Sequence, residues 1–190
     1  IHTYHTVYED YTHYFSPSRS MGRKMAALFT RMICASCDAV IAPTPKISRL
    51  LAGYGVHCPV RIIPTGLDLQ RFAVPRDDAL RKQLGLPPQE ENKTVLLSLG
   101  RLAKEKNIAE LIKAMQQLPD AVLLIVGDGP ERAALEQQAQ ALHVADRVIF
   151  AGAVPPAEVP RCYALGDVFV SASTSEAQGL TYIEAMAAGL

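Results

Sequence analysis

The chain has no tryptophan and only four cysteines in 190 residues, Cys34, Cys37, Cys58 and Cys162. That is too few for a disulfide-stapled secreted scaffold, so a reducing, cytosolic compartment is expected. Net charge is also missing, because 19 Lys and Arg balance 19 Asp and Glu. With no basic excess, no nucleic-acid partner is expected, and any anion site must be local. No apolar run approaches the roughly 20 residues that span a bilayer, and none of these residues reads as a signal peptide. The chain starts on Ile1 and stops at Leu190 in mid-pattern. It therefore reads as a piece cut at both ends, and the piece by itself is expected to be inactive or nearly so. There is no D-x-D motif to suggest a required metal ion. The Gly127-Asp128-Gly129 turn runs into Pro130-Glu131-Arg132 and lacks the third glycine of a dinucleotide fingerprint, which argues against a nicotinamide-dependent oxidoreductase. What is plentiful is apolar side chain, 49% of the residues, ample for a packed core.

Read along the chain, residues 1–4 are the tail of a strand, followed by a polar, aromatic loop from His5 to Pro17. Met21, Met25, Leu28, Met32 and Ile33 recur at helical spacing. Short strands are expected over 38–42 and 60–63, with a helix carrying Ile47, Leu50 and Leu51 between them that stops near Gly53 and Gly55. From Leu67 to Asn92 proline and charge dominate, as in a crossing between domains. The rhythm then becomes regular. Strands are predicted over 94–99, 121–126, 147–151 and 167–171, with helices after each, over residues 108–115, to about 142, 155–165 and from about 179. Strand and helix alternating at this spacing give an α/β domain with a Rossmann-like parallel sheet. The expected division is 1–66 for the end of one such domain, 67–92 for the crossing, and 93–190 for a second.

Ligands of such sheets bind at the carboxyl ends of the strands. Beyond the strand ending at Leu99 lies Gly100-Arg101-Leu102-Ala103-Lys104-Glu105-Lys106-Asn107, where two cations flank the start of a helix, a good setting for a diphosphate. A solvated basic loop is the plainer alternative. The glycines of 127–129 allow either a ligand or a tight strand-to-helix turn close to the backbone. After residue 171 comes Ser173-Thr174-Ser175-Glu176-Ala177-Gln178-Gly179-Leu180-Thr181-Tyr182-Ile183-Glu184, with two carboxylates eight positions apart. Cys34 and Cys37, spaced C-x-x-C, read as small core residues on neighbouring turns of one helix, since no second ligand pair follows to complete a zinc site.

The Glu176-to-Glu184 segment resembles the E-x7-E signature of the retaining GT-B glycosyltransferases of family 4. Gly100-Arg101…Lys106 and Pro64-Thr65-Gly66-Leu67-Asp68…Phe72 match further motifs of that family in order. The resemblance covers about the last two-thirds of the chain. It implies a GT-B fold fragment: the end of an acceptor domain and most of a nucleotide-sugar domain. It implies that Arg101 and Lys106 neutralise the donor diphosphate and that Glu184 holds ribose hydroxyls. Glu176 would lie beside the donor sugar, while Gly100, Gly179, Leu180 and Thr181 would bring backbone to it and Val154 would lie against the base. Thr3-Tyr4-His5-Thr6 resembles the family's strand end where a histidine, here His5, faces the reacting sugar.

The aromatic stretch from His2 to Tyr11, and Ala177-Gln178-Gly179-Leu180-Thr181 where many relatives carry Gly-Phe-Gly, resemble the bacterial subgroup that glucosylates diacylglycerol. That implies a peripheral membrane enzyme with UDP-glucose as donor, a lipid acceptor, no cofactor, no required metal and no protein partner. A phosphoinositol lipid, a polysaccharide or a small sugar remains an alternative acceptor, and a binding-only domain that has lost transfer is a rival reading. The basic residues Arg19, Arg23, Lys24 and Arg31 around the methionine-bearing helix fit either a lipid-facing helix or a surface helix whose methionines pack inward.

Overall fold

The structure is a computed structural model that describes residues 1–14 and 18–190. The chain divides into two compact units, Ile1–Gly66 with Ser175–Gly179, and Leu67–Thr174 with Leu180–Leu190.

The first unit is a three-stranded parallel sheet of β1 (His2–Thr3), β2 (Val40–Ala42) and β3 (Val60–Ile62), in that order. Its core gathers Tyr4, Val7, Cys34, Val40, Ala42, Ile47 and Leu51. The expected loop after β1 holds a 3-10 helix over Tyr8–Tyr14, and its last three residues, 15–17, lie outside the described residues. Helix α1 (Arg19–Ala35) begins at Ser18, whose side chain accepts from Met21 N. Helix α2 (Pro45–Gly53) shows why its sequence folds locally. Thr44 caps it by accepting from Ile47 N at 3.4 Å, Pro45 needs no N–H at the first helical position, and Gly55 beyond it takes a positive φ of 76°.

The packed face of α1 is not the one its methionines mark. Gly22, Ala26, Thr30 and Cys34, four apart, are buried, while Met21, Met25, Leu28, Phe29 and Met32 are exposed. Small residues let the helix lie close to the sheet, where the Tyr4 hydroxyl is 3.5 Å from Thr30 Oγ1 and the ring of Tyr8 meets Phe29 edge-on. The reading in which the methionines pack inward is therefore corrected. Cys34 is buried and Cys37 half-buried, both in or against this core, and the four cysteines form no disulfide.

The second unit carries a four-stranded parallel sheet ordered β6-β5-β4-β7, with β4 Thr94–Leu99, β5 Ala121–Val126, β6 Val148–Gly152 and β7 Val168–Phe169. Every residue of β5 is buried, as expected for a central strand covered on both faces. Its side chains alternate between two cores. Val122, Leu124 and Val126 join Val95, Leu97, Tyr163 and Leu165 on one face, and Ala121, Leu123 and Ile125 join Ile112, Met115 and Leu135 on the other. The covering helices are α4 (Ile108–Ala114), α5 (Arg132–Ala141), α6 (Val159–Tyr163) and α7 (Leu180–Ala187).

Residues 67–92 group with this second unit: Phe72 and Leu86 lie in its core, and a helix, α3 (Asp78–Gln83), forms there. Asp77 caps α3 by accepting from Leu80 N at 2.9 Å and takes the Arg161 guanidinium on the same carboxylate.

Candidate functional site

In the second unit the loops beyond β4, β5 and β6 are stitched edge to edge at the carboxyl ends of the strands. Gly100 N donates to Val126 O at 2.9 Å, Leu102 N to Asp128 O at 3.0 Å, and Gly127 N to Gly152 O at 2.8 Å. This explains the glycines of 127–129. A Cβ on Gly127, which has φ 137°, would fall 1.9 Å from Gly100 O, and one on Gly129 would fall 2.3 Å from Leu102 O. Both glycines are required by the Gly100–Leu102 loop lying against them, a third reading beside the ligand and turn readings.

That loop leads into a 3-10 turn over Lys104–Lys106, closed by Asn107 in the left-handed region at φ 53°. Arg101 is exposed and Lys106 half-buried. Glu105 lies between them in sequence but is only 5% exposed, so the cations rather than this carboxylate face outward. The turn is anchored from behind: the Glu105 carbonyl accepts from Thr174 N at 2.9 Å, Thr174 Oγ1 at 3.2 Å and Ser173 Oγ at 3.4 Å. Val154, half-buried, follows β6, beyond Gly152 with its positive φ of 76°.

Glu184 lies on the second turn of α7. The Tyr163 hydroxyl at the end of α6 donates to Glu184 Oε2 at 2.9 Å, and the Thr181 carbonyl, at 3.2 Å, shares the same proton. Tyr163 is fully buried. Burial foremost, and then the carboxylate beside it, push its pKa far up. It therefore stays a protonated donor and holds one Glu184 oxygen in place. Sequence reasoning missed Tyr163: 21 residues separate the pair, and a tyrosine in a short helix carries no signal of its partner.

Ser175–Gly179, the first half of the two-carboxylate segment, groups with the first unit. Lys46 Nζ donates to Glu176 O at 2.9 Å, Thr44 Oγ1 to Ala177 O at 3.0 Å, and the Gln178 amide exchanges two hydrogen bonds with the Thr65 backbone, at 2.8 and 3.1 Å. The loop is thus held through the backbone of Glu176 and Ala177 and the side chain of Gln178. Gly179, with φ 71°, makes the turn into α7. His5 also belongs to the first unit, where it is exposed just after β1. The candidate residues therefore divide: Gly100, Arg101, Lys106, Val154, Leu180, Thr181 and Glu184 belong to the second unit, and His5, Glu176 and Gly179 to the first. Among the described residues no cluster of three or more His, Cys, Asp or Glu could hold a metal ion.

Comparison with known proteins adds a family to this geometry. The profile of "Glycosyl transferases group 1" matches residues 79–190, and that of "Glycosyltransferase Family 4" matches residues 1–71. The whole chain aligns with the alpha-monoglucosyldiacylglycerol synthase of Streptococcus pneumoniae at 42% identity, covering 44% of that protein. It aligns with the enzyme of the same name from Acholeplasma laidlawii at 33%, covering 50% of it. The chain thus spans about half the length of the curated relatives it matches. Among solved structures, the Anabaena protein HepE, determined in complex with UDP and glucose, superposes with a TM-score of 0.79 at 25% identity over 99% of this chain and 50% of its own.

Proposed function

This chain belongs to the group 1 glycosyltransferases of family 4 and has their GT-B fold, and we propose that the protein containing it transfers glucose from UDP-glucose to diacylglycerol with retention of anomeric configuration. The observation that carries this reading is the whole-chain identity of 42% to an alpha-monoglucosyldiacylglycerol synthase.

The chemistry follows from charge. Breaking the bond between sugar and diphosphate leaves negative charge on the departing phosphate and positive charge on the sugar ring. Lys106, on a turn pinned by Thr174 and Ser173, and Arg101, on the loop that leads into it, meet the first of these, and fixed charge of this kind is where electrostatic catalysis is most effective. The N–H groups opening α7 at Leu180 and Thr181 add to it. Glu184, with one oxygen held by Tyr163, accepts from ribose hydroxyls through the other. Glu176 takes hydroxyls of the donor sugar, His5 orients the reacting sugar, Gly100 and Gly179 bring backbone close to the donor, and Val154 lies against the base. The acceptor hydroxyl attacks from the face the diphosphate leaves, and the leaving phosphate oxygen takes its proton. Two cations and a helix start supply the positive charge, so the reaction needs no divalent ion or cofactor.

The reading includes a location at the cytoplasmic surface of the cell membrane, and α1 supports the membrane contact. Its exposed Met21, Met25, Leu28, Phe29 and Met32 lie on a helix that also exposes Arg23, Lys24 and Arg31, a composition suited to anionic lipid. The Arg19 side chain lies outside the described residues. Among the described residues no helix is long and apolar enough to cross a membrane.

The test is an assay of the full-length protein with UDP-glucose and diacylglycerol micelles, reading lipid product and released UDP separately. Glucosyl-diacylglycerol should form, and Lys106→Ala or Glu184→Ala should each lower kcat/KM by about a hundredfold or more. Released UDP without lipid product would reject the acceptor and keep the donor. No reaction with UDP-glucose alongside turnover of another nucleotide sugar would reject the donor.

A further inference from the structure

The opposite end of the second unit's sheet holds a cavity of about 260 Å³ lined by Arg76, Arg81, Lys93, Asn92, Thr94 and Asp167, with Gln89 at its border. Thr94 opens β4 and Asp167 precedes β7, so the cavity sits at the amino ends of the strands. It is about 20 Å, six residues of β4, from the Gly100 loop.

Arg81 is only 6% exposed, and among the described residues its buried Nη1 has no hydrogen-bond partner. Its Nε donates to Pro87 O at 2.7 Å, which fixes the plane of the guanidinium. Asp167 does not supply the missing acceptor. Its Oδ2 accepts from Val95 N at 2.8 Å, and its Oδ1 is taken by Arg76. A buried guanidinium edge without an acceptor is rare in folded proteins and calls for an anion or an ordered water. Among the described lining residues three cations stand against one carboxylate, an excess of two positive charges. That excess matches a phosphate dianion, and the forked guanidinium geometry suits phosphate oxygens.

We propose that this cavity binds the dianionic phosphate group of inorganic phosphate or of a small phosphate monoester, through Arg81, Arg76 and Lys93. The site is independent of the donor chemistry proposed above and shares no residue with it. Bound phosphate ties α3 to the starts of β4 and β7, so occupancy also stabilises the second unit.

Calorimetric titration of the full-length protein with inorganic phosphate and with glycerol 3-phosphate, at constant ionic strength against chloride, tests it. Saturable binding is expected, weakened at least tenfold by Arg81→Gln and by Lys93→Gln and unchanged by Lys106→Ala. Because Arg81 is buried and its replacement can unfold the unit, Lys93→Gln, at a half-buried and less critical position, carries the test if Arg81→Gln does not fold. Binding of inorganic phosphate alone identifies the free ion as occupant, and tighter binding of glycerol 3-phosphate identifies a monoester; both support the site. Wild-type heats equal to those of chloride, affinity unchanged in Lys93→Gln, or binding lost in Lys106→Ala would each overturn it.

Discussion

The Tyr163 hydroxyl stands 2.9 Å from Glu184 Oε2, and both residues sit on short helices packed at the same face of the second sheet. A hydrogen bond to a carboxylate contributes about 1.5–3 kcal/mol, and here it also fixes which Glu184 oxygen is free to meet a ligand. Tyr163→Phe keeps the ring and removes the hydrogen bond. The expected result is a donor KM raised about tenfold with a smaller change in kcat, since the residue positions a binding group and does not touch the reacting atoms. Steady-state kinetics with varied UDP-glucose measures this. An unchanged KM would show that Glu184 holds its place without Tyr163.

The two glycine classes of the chain should respond in opposite directions. Gly127→Ala places a methyl group 1.9 Å from a carbonyl oxygen at φ 137°, so the Gly100 loop must move. Both stability and donor affinity should fall, the first by several kcal/mol. Gly53 ends α2 with nothing within 4 Å of an added Cβ. Gly53→Ala should be neutral or stabilising by up to about 1 kcal/mol. Paired thermal melts of the two variants decide it.

Acid stability should depend on Asp77. The Leu80 N–H at the start of α3, then the Arg161 guanidinium, hold its carboxyl below the ordinary value of 3.8. A carboxyl depressed in the folded state adds stability above its ordinary pKa and loses it as pH falls through the lower folded value. Asp77→Asn keeps the helix cap and removes the titration. Its unfolding free energy should be lower than wild type near neutral pH and flatter below about pH 4. Parallel curves for the two proteins in urea melts across that range would count against the assignment.

Thiol reactivity should separate the cysteines. Cys34 and Cys162 are each 1% exposed, and burial foremost pushes both thiols up. The thiolate is the reactive form, so alkylation mapped by mass spectrometry should leave both unlabelled in the native protein at neutral pH and label both in denaturant. Native labelling of Cys34 as fast as of half-buried Cys58 would contradict the core assignment.

The regular half of the fold was legible because burial on both faces leaves only one kind of strand. Thr94–Leu99 and Ala121–Val126 matched the expected strands residue for residue, since each is a run of apolar side chains bounded by turn residues. Helix α3 went unread because six residues with one half-buried leucine, Leu80, show no period; it is held by its Asp77 cap and by Leu86 packing beyond it. The buried face of α1 was left undecided for a related reason. Hydropathy weights large side chains, yet this helix buries Gly22, Ala26, Thr30 and Cys34, which pack because they are small.

What the sequence determined by itself is the alternating α/β order of residues 94–190 and the motif carrying Arg101, Lys106, Glu176 and Glu184, because periodicity and spacing are local properties of the chain. Only the tertiary structure decided what fixes those residues: Tyr163 on Glu184, Ser173 and Thr174 on the Glu105 carbonyl, and Thr44, Lys46 and Thr65 on the 176–178 loop. Their partners lie 21 to 133 residues apart along the chain. Hydrogen bonds at such separations are set by which helices and loops the packed sheets bring together, and no local pattern encodes that.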